Sequence, residues 1–384
     1  MVDRTGTGNM KGSFAAQMPE TADPLILAGA EMDYATAPVI REALEQFARR
    51  GIYGFTLPDE PYLAAVCGWM QRVRGAETAP EEIVVTQGTI KGVTTAVRAF
   101  TAPGDGVIIQ HPSYYRFDAA VEKCGRKVVS NPMRVCDGHY EIDFADLEEK
   151  MSVSENRLMI LCNPHNPTGK VFSRSELEQI ARLANRLDMT VLSDEIFAET
   201  AQPGYEVTPY TEADRHGIVS SSFGKCFNFT GVNHANLIIP DETLRNRYLA
   251  QRNREHFGSI DPFFYTAVLA GYSQEGYDWI RAMNRHTQDN YRVLLDMRKE
   301  SLPEITVSPL EGSFVAWLDM SGLGMTDEQM NQWLVSELGV MVDPGHEYGP
   351  GGENHIRLNL ATPSERIREF TKRLIGRKGT GKTI

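Results

Sequence analysis

Three polar residues stand just past apolar runs, and their types and order point to one kind of chemistry. Lys225 lies in SSSFGKCFN (220–228), directly after the strand-like GIVSSS. A lysine at a strand end among small residues can project into a cleft, and a desolvated lysine with a lowered pKa forms Schiff bases. The other lysines read as surface charges. Asp194 ends the apolar run TVLSDE (190–195). A buried acid is costly unless it meets a cation. A helix cap or a salt bridge would satisfy it, and so would the protonated pyridine nitrogen of a cofactor. Asn166 sits in NPHNPTG (163–169), after the apolar run RLMILC. Two Asn-Pro pairs and a glycine dictate a tight turn, which is either a plain loop or a support for the Asn166 amide against a ligand oxygen.

The spacing joins these three. Asn166, Asp194 and Lys225 are 28 and 31 residues apart, each gap the length of one strand–helix–strand step. Side chains so placed can meet at the carboxyl edge of one sheet, where open α/β sheets bind ligands. The elements this requires are present. IVVT (83–86), GDGVIIQ (104–110), RLMILC (157–162), TVLSDE, GIVSSS and NLIIP (236–240) read as strands, and helical patterns run from Gly88 to Phe100 and from Ser173 to Leu187. Continuous apolar strands alternating with helices imply an α/β fold, a mixed, mostly parallel sheet covered on both faces. Residues 1–28 read as an extended polar arm. Pro38 to Arg50 and Tyr62 to Arg74 are helical, a long helical region begins near 241, and 300–375 reads as a smaller α+β unit. The expected organisation is an arm over 1–40 joined to the small domain, a large domain over 41–275, and a small C-terminal domain over 276–384.

Composition excludes several classes. The chain has 384 residues, 41% of them hydrophobic, with 39 Lys+Arg against 51 Asp+Glu and a net charge of −12. It is neither fibrous nor largely disordered, and its charge argues against a nucleic-acid partner. No apolar stretch is long enough for a membrane span. Five irregularly spaced cysteines form no disulfide or zinc framework, and the N-terminus lacks a signal-peptide pattern, so a cytoplasmic location is expected. The nine histidines show no metal-ligand spacing, and no metal is expected. GRKGTGKT (376–383) fits a nucleotide-binding P-loop pattern, but only Ile384 follows it, and the loop works only ahead of a helix.

The arrangement resembles the fold type I pyridoxal-phosphate enzymes of the aminotransferase class I/II group. Within that group it is most similar to the cystathionine β-lyase (MalY/PatB-type) carbon–sulfur lyases. The segments that carry the likeness are RTGTGNMK (4–11), EMDYATAPVIREAL (31–44), GIYGFTLPDEPYLAAVCGWM (51–70), HPSYYRF (111–117), NPHNPTGKVFSRSEL (163–177), SDEIF (193–197), FNFTGVNHANLIIP (227–240) and HIRLNLATP (355–363). The resemblance implies a large domain with a mixed sheet plus a smaller α+β domain, and pyridoxal 5'-phosphate as cofactor. Lys225 would carry the Schiff base, Asp194 would pair with the ring nitrogen, and Asn166 would hydrogen-bond the ring's 3-oxygen. Tyr114 would stack on the ring, beside substrate, with Phe197 at the cofactor. Gly88, Thr89 and Ile90, at a helix N-terminus, and Ser222 would hold the phosphate. Arg357 would grip the substrate carboxylate, with Asn166 beside it.

The implied reaction is β-elimination from L-cystathionine or a related cysteine S-conjugate, giving a thiol, pyruvate and ammonia. The segment GIYGFT would reach a partner subunit, so a homodimer is expected. Three positions depart from the group's pattern. Asn233 stands eight residues after the lysine, where aminotransferases usually have a phosphate-contacting arginine; the lyase branch lacks that arginine too. Phe197 replaces a Tyr or His, and Phe55 replaces a Tyr, with Tyr53 expected on the same face of an extended strand. An aminotransferase, a specialised biosynthetic enzyme and a weakly catalytic regulatory protein on the same scaffold remain as alternatives.

Overall fold

A computed structural model describes residues 2–4, 6–19, 24–136, 138–255 and 259–378. Seven strands form one sheet: β1 (Ile83–Thr86), β2 (Gly106–His111), β3 (Lys127–Pro132), β4 (Asn156–Cys162), β5 (Thr190–Asp194), β6 (Ile218–Ser221) and β7 (Ala235–Ile238). Their spatial order is β1-β7-β6-β5-β4-β2-β3. Only β7 runs against its neighbours; the pairs among β2 to β6 are parallel. The sheet is therefore mixed and mostly parallel. Successive strand residues face opposite sides, and both sides are apolar. Val85, Ile108, Met159 and Val191 join one buried cluster. Their neighbours Val84, Val107, Ile160 and Leu192 join another, beneath the helices Thr89–Phe100 and Glu242–Arg254. Burial on both faces is what makes these strands continuous apolar runs.

A second, antiparallel sheet has four strands: β8 (Thr306–Val307), β9 (Val315–Asp319), β10 (Asp343–Pro344) and β11 (His355–Asn359), in the order β8-β9-β11-β10. It packs with the helices Gln274–Glu300 and Ser364–Lys378 through Leu294, Leu318, Ile356 and Phe370. The N-terminal chain joins this unit. Leu25–Ile26 pairs in parallel with Val340–Met341, and the Asn359 side chain donates to the Gly29 and Glu31 carbonyls at 2.8 and 2.6 Å.

Several local expectations are corrected. The arm is not wholly extended: Met10–Gln17 is a helix, started by Asn9 Oδ1 accepting from Gly12 N–H at 2.8 Å. The helical region after 241 is three helices, Glu242–Arg254, Pro262–Gly271 and Gln274–Glu300. Asp261 and Ser273 cap the second and third and break the run there. The short helices Tyr115–Lys123 and Phe144–Met151 and the half-exposed edge strand β3 add to the elements read from sequence. Of the P-loop-like segment, Gly376 to Lys378 end a helix, and the rest lies outside the described residues. Among the described residues, no helix is long and apolar enough to cross a membrane.

Candidate active site

The carboxyl ends of β1, β2, β4, β5 and β6 all open onto one cavity of about 1040 Å³. Asn166, Asp194 and Lys225 all line it, as do Thr89, Ile90, Tyr114, Phe197, Ser222 and Arg357. The strand order explains the convergence. β6, β5, β4 and β2 are adjacent, so the turns after each emerge side by side.

Asp194 is the last residue of β5 and is buried. Its Oδ1 has no hydrogen-bond partner, and burial pushes the carboxyl up to about 7. Such an atom calls for a cationic donor from a ligand. The next residue, Glu195, faces the other way and forms a buried ion pair with Arg74, which also lies 3.6 Å from Glu199. Ser193 Oγ and Tyr210 N–H donate to the same Glu195 oxygen at 2.9 and 2.8 Å. The outward carboxylates thus fix the strand end from behind while Asp194 Oδ1 is left without a partner.

Lys225 sits on a four-residue helix, Phe223–Cys226, just after β6. Its Nζ donates to the Ala30 carbonyl at 2.7 Å and lies 5.4 Å from the centre of the Phe197 ring. Burial and the Arg357 charge, outweighing the pull of Asp194, lower its pKa to about 7. A good part of such a lysine is a neutral nucleophile at neutral pH. The N-terminal segment is held over it by Asn228, whose φ is +55°. Asn228 accepts from Met32 N–H at 2.9 Å and donates to the Met32 and Tyr34 carbonyls at 3.0 and 2.8 Å.

Asn166 lies in the turn after β4, where the Asn163–Pro164 and Asn166–Pro167 bonds are cis. Its Oδ1 accepts from Arg357 Nη1 at 2.9 Å, leaving the amide nitrogen to donate elsewhere. Arg357, in the middle of β11, brings the second sheet to the cavity. Its Nε and Nη2 donate to Asp343 Oδ2 at 3.0 and 2.6 Å. Of the five guanidinium N–H groups, one on Nη1 and one on Nη2 remain, a fork suited to a carboxylate.

At the other end of the cavity, the helix Thr89–Phe100 begins after β1. Its first N–H groups lack intrahelical partners and favour an anion. Gly88 has φ +92°, and an added Cβ would sit 3.5 Å from the Asn233 side chain; glycine suits the turn. Two sequence expectations are narrowed here. Gly88 N–H is already given to the Thr86 carbonyl at 3.0 Å. The Ser222 hydroxyl donates to the His234 carbonyl at 2.9 Å and accepts from Gly224 N–H at 3.1 Å. Thr89 and Ile90 are then the better anion donors of the set.

The aromatic positions are distinct. Tyr114 is half-buried, with Phe117 edge-on at 5.7 Å. Phe197 is buried and packs on Phe314 at 5.6 Å; it offers an apolar ring and no hydroxyl. Phe55 is 98% exposed. Tyr53 is not in a strand as expected: its hydroxyl donates to the Ala48 carbonyl at 2.9 Å and its ring stacks on Phe263. Among the described residues, that segment's strand-like pairing is the isolated bridge Thr56–Ile260.

Asp343 and Asn228 escape a reading of the sequence. Asp343 stands in a two-residue strand directly opposite Arg357 in register, and no periodicity reveals so short an element. Asn228 follows the lysine by three residues, and asparagine's tolerance of positive φ was the available signal.

With the geometry in place, the family is clear. Residues 22–374 match the model for aminotransferase class I and II, and the chain belongs to that family. Its particular likeness is narrower. It is 34% identical to cystathionine beta-lyase PatB of Bacillus subtilis, over 97% of both chains. It is 31% identical to protein MalY of Escherichia coli, over 98% of this chain and 97% of MalY. The fold superposes with a TM-score of 0.93 on cystalysin from Treponema denticola, a structure that contains pyridoxal 5'-phosphate; the two are 30% identical and share 98% of this chain and 96% of that one.

Proposed function

We propose that the protein is a pyridoxal-phosphate-dependent carbon–sulfur β-lyase acting on L-cystathionine or related cysteine S-conjugates. The observation that carries this is the placement of Lys225, with its lowered pKa, in one cavity with Asp194, whose buried Oδ1 has no partner. The residues present fit the cofactor. Lys225 supplies the amine for its aldehyde, Asp194 the carboxylate for its ring nitrogen, the Asn166 amide a donor for its 3-oxygen, and Thr89 and Ile90 N–H groups for its phosphate. Tyr114 supplies an aromatic face.

Held by these residues, pyridoxal phosphate would supply an aldehyde for the substrate's amino group and an electron sink for the pair left at Cα. The chain does the rest. Arg357 turns the substrate by its carboxylate so that the Cα–H faces Lys225. The freed Lys225 Nζ removes that proton, and its depressed pKa suits a base working at neutral pH. Asp194, ionised once it meets the ring N–H, keeps that proton in place. The Cβ–S bond breaks, the sulfur leaves as a thiolate, and the three-carbon remainder hydrolyses to pyruvate and ammonia. Asn233, in place of a phosphate-contacting arginine, and the names of the similar relatives favour elimination over transamination.

We read the working unit as a homodimer. Ile52, Phe55 and Leu57 are 76%, 98% and 64% exposed, an apolar strip next to Gln87 and Asn233 at the cofactor end of the site, suited to a second copy. Five free thiols, three of them buried, suit the reducing cytoplasm. The test of the cofactor assignment is the visible spectrum of the purified protein with pyridoxal phosphate. A band near that of a protonated Schiff base, lost in Lys225→Ala, is expected; no band in the unaltered protein would refute the assignment.

A further inference from the structure

An α-amino acid carries its amino and carboxylate groups on one carbon. The Lys225 amine and the Arg357 fork must therefore stand at a fixed spacing to act on one substrate. They belong to different sheets. Lys225 follows β6 of the large sheet, and Arg357 lies in β11 of the small one. The N-terminal segment connects them. Lys225 Nζ donates to the Ala30 carbonyl at 2.7 Å. One residue earlier, Gly29 N–H donates to Asp343 Oδ1 and Oδ2 at 3.1 and 3.0 Å. The same Oδ2 accepts from Arg357 Nε and Nη2 at 3.0 and 2.6 Å. One carboxylate thus holds the guanidinium and the residue next to the lysine's acceptor. The carbonyls on either side of Ala30, those of Gly29 and Glu31, accept from Asn359 at 2.8 and 2.6 Å. Asn359 lies on β11, two residues from Arg357. The segment that meets Lys225 is anchored on the strand that carries the arginine.

We infer that Asp343 is a positioning residue that sets the spacing between Arg357 and Lys225, holding the guanidinium directly and the lysine through Gly29 and Ala30. This rests on the roles proposed for those two residues and deepens them. Besides burial, the charges acting on Lys225 include Arg357 and Arg116, which lower its pKa, and Asp194 and Asp343, which raise it. Removing the Asp343 charge withdraws an anion and leaves the Arg357 charge uncompensated. It also loosens the carbonyl that favours an N–H donor at Nζ. All three changes favour the neutral amine.

The test reads Lys225 without substrate. Asp343→Asn keeps the shape and one acceptor. The pH midpoint for capture of pyridoxal phosphate by the apo-protein should fall by about 0.5 unit or more, and KM of the holoenzyme for L-cystathionine should rise about tenfold. Asn359→Ala loosens the segment without removing a partner of the guanidinium. It should move the midpoint the same way with little change in KM. A raised KM with an unmoved midpoint in Asp343→Asn would confine Asp343 to Arg357 and overturn the inference. An unmoved midpoint in Asn359→Ala would also overturn it, leaving only the direct field of Asp343. If the unaltered holoenzyme releases no pyruvate, the lyase reading falls and the two midpoints still decide the coupling. If the unaltered protein captures no pyridoxal phosphate, the cofactor reading falls. Acetylation of Lys225 by acetic anhydride over the same pH range, read by peptide mass spectrometry, then supplies the two midpoints, with the same outcomes for and against.

Discussion

Arg357 Nη1 donates to Asn166 Oδ1 across 2.9 Å, and that bond joins the small antiparallel sheet to the carboxyl edge of the large one. The arginine proposed to hold the substrate carboxylate is therefore set directly against the turn proposed to face the cofactor. Asp343 holds the guanidinium from its other side. Arg357→Lys keeps a cation for Asp343 but loses the fork. KM for the amino-acid substrate should rise about 10- to 100-fold, with a smaller change in kcat. Steady-state kinetics checks it; an unchanged KM would mean that the carboxylate is bound elsewhere.

Asp194→Asn removes a buried charge and keeps the shape. Turnover should fall on the order of 10²–10³-fold, as for loss of one preorganised electrostatic partner. Thermal stability of the apo-protein should not fall, because the buried carboxyl, already pushed up to about 7, costs the fold rather than supports it. A large drop in melting temperature would point to a structural role instead.

The lysine gives a pH dependence with a definite sign. Its pKa is lowered to about 7 by burial and by Arg357, so the neutral amine prevails above that pH and the ammonium below it. Capture of pyridoxal phosphate by the apo-protein, which needs the neutral amine, should rise through pH 7 and level off. Stopped-flow absorbance would follow it. A rate still climbing at about pH 9, as for an ordinary lysine, would contradict the assignment.

Behind the site, Arg74 is buried between Glu195 and Glu199. Arg74→Met would leave two carboxylates without their cation and should cost about 3–5 kcal/mol, measured by denaturant unfolding. A loss under about 1 kcal/mol would mean that the pair is not holding the end of β5.

Much of the site was legible in the sequence because it follows from strand ends. Lys225, Asp194 and Asn166 each close an apolar run, and apolar runs one strand–helix–strand step apart must emerge on one edge. Arg357 was found through the family resemblance of its segment HIRLNLATP (355–363). What stayed hidden depends on local geometry or on very short elements. The commitments of Gly88 N–H and the Ser222 hydroxyl are set by backbone turns that residue types do not encode. Met10–Gln17 has no apolar periodicity and owes its start to the Asn9 cap. The breaks at Asp261 and Ser273 carried capping residues that outweighed the helical pattern around them. An extended strand would have put Tyr53 on the face of Phe55; instead its ring stacks on Phe263.

The most direct test of the central claim is pyruvate release from L-cystathionine by the holoenzyme with no 2-oxo acid present. The structure predicts one pyruvate and one free thiol for each L-cystathionine consumed, with both lost in Lys225→Ala. Amino transfer that requires an added 2-oxo acid and yields no pyruvate would contradict it.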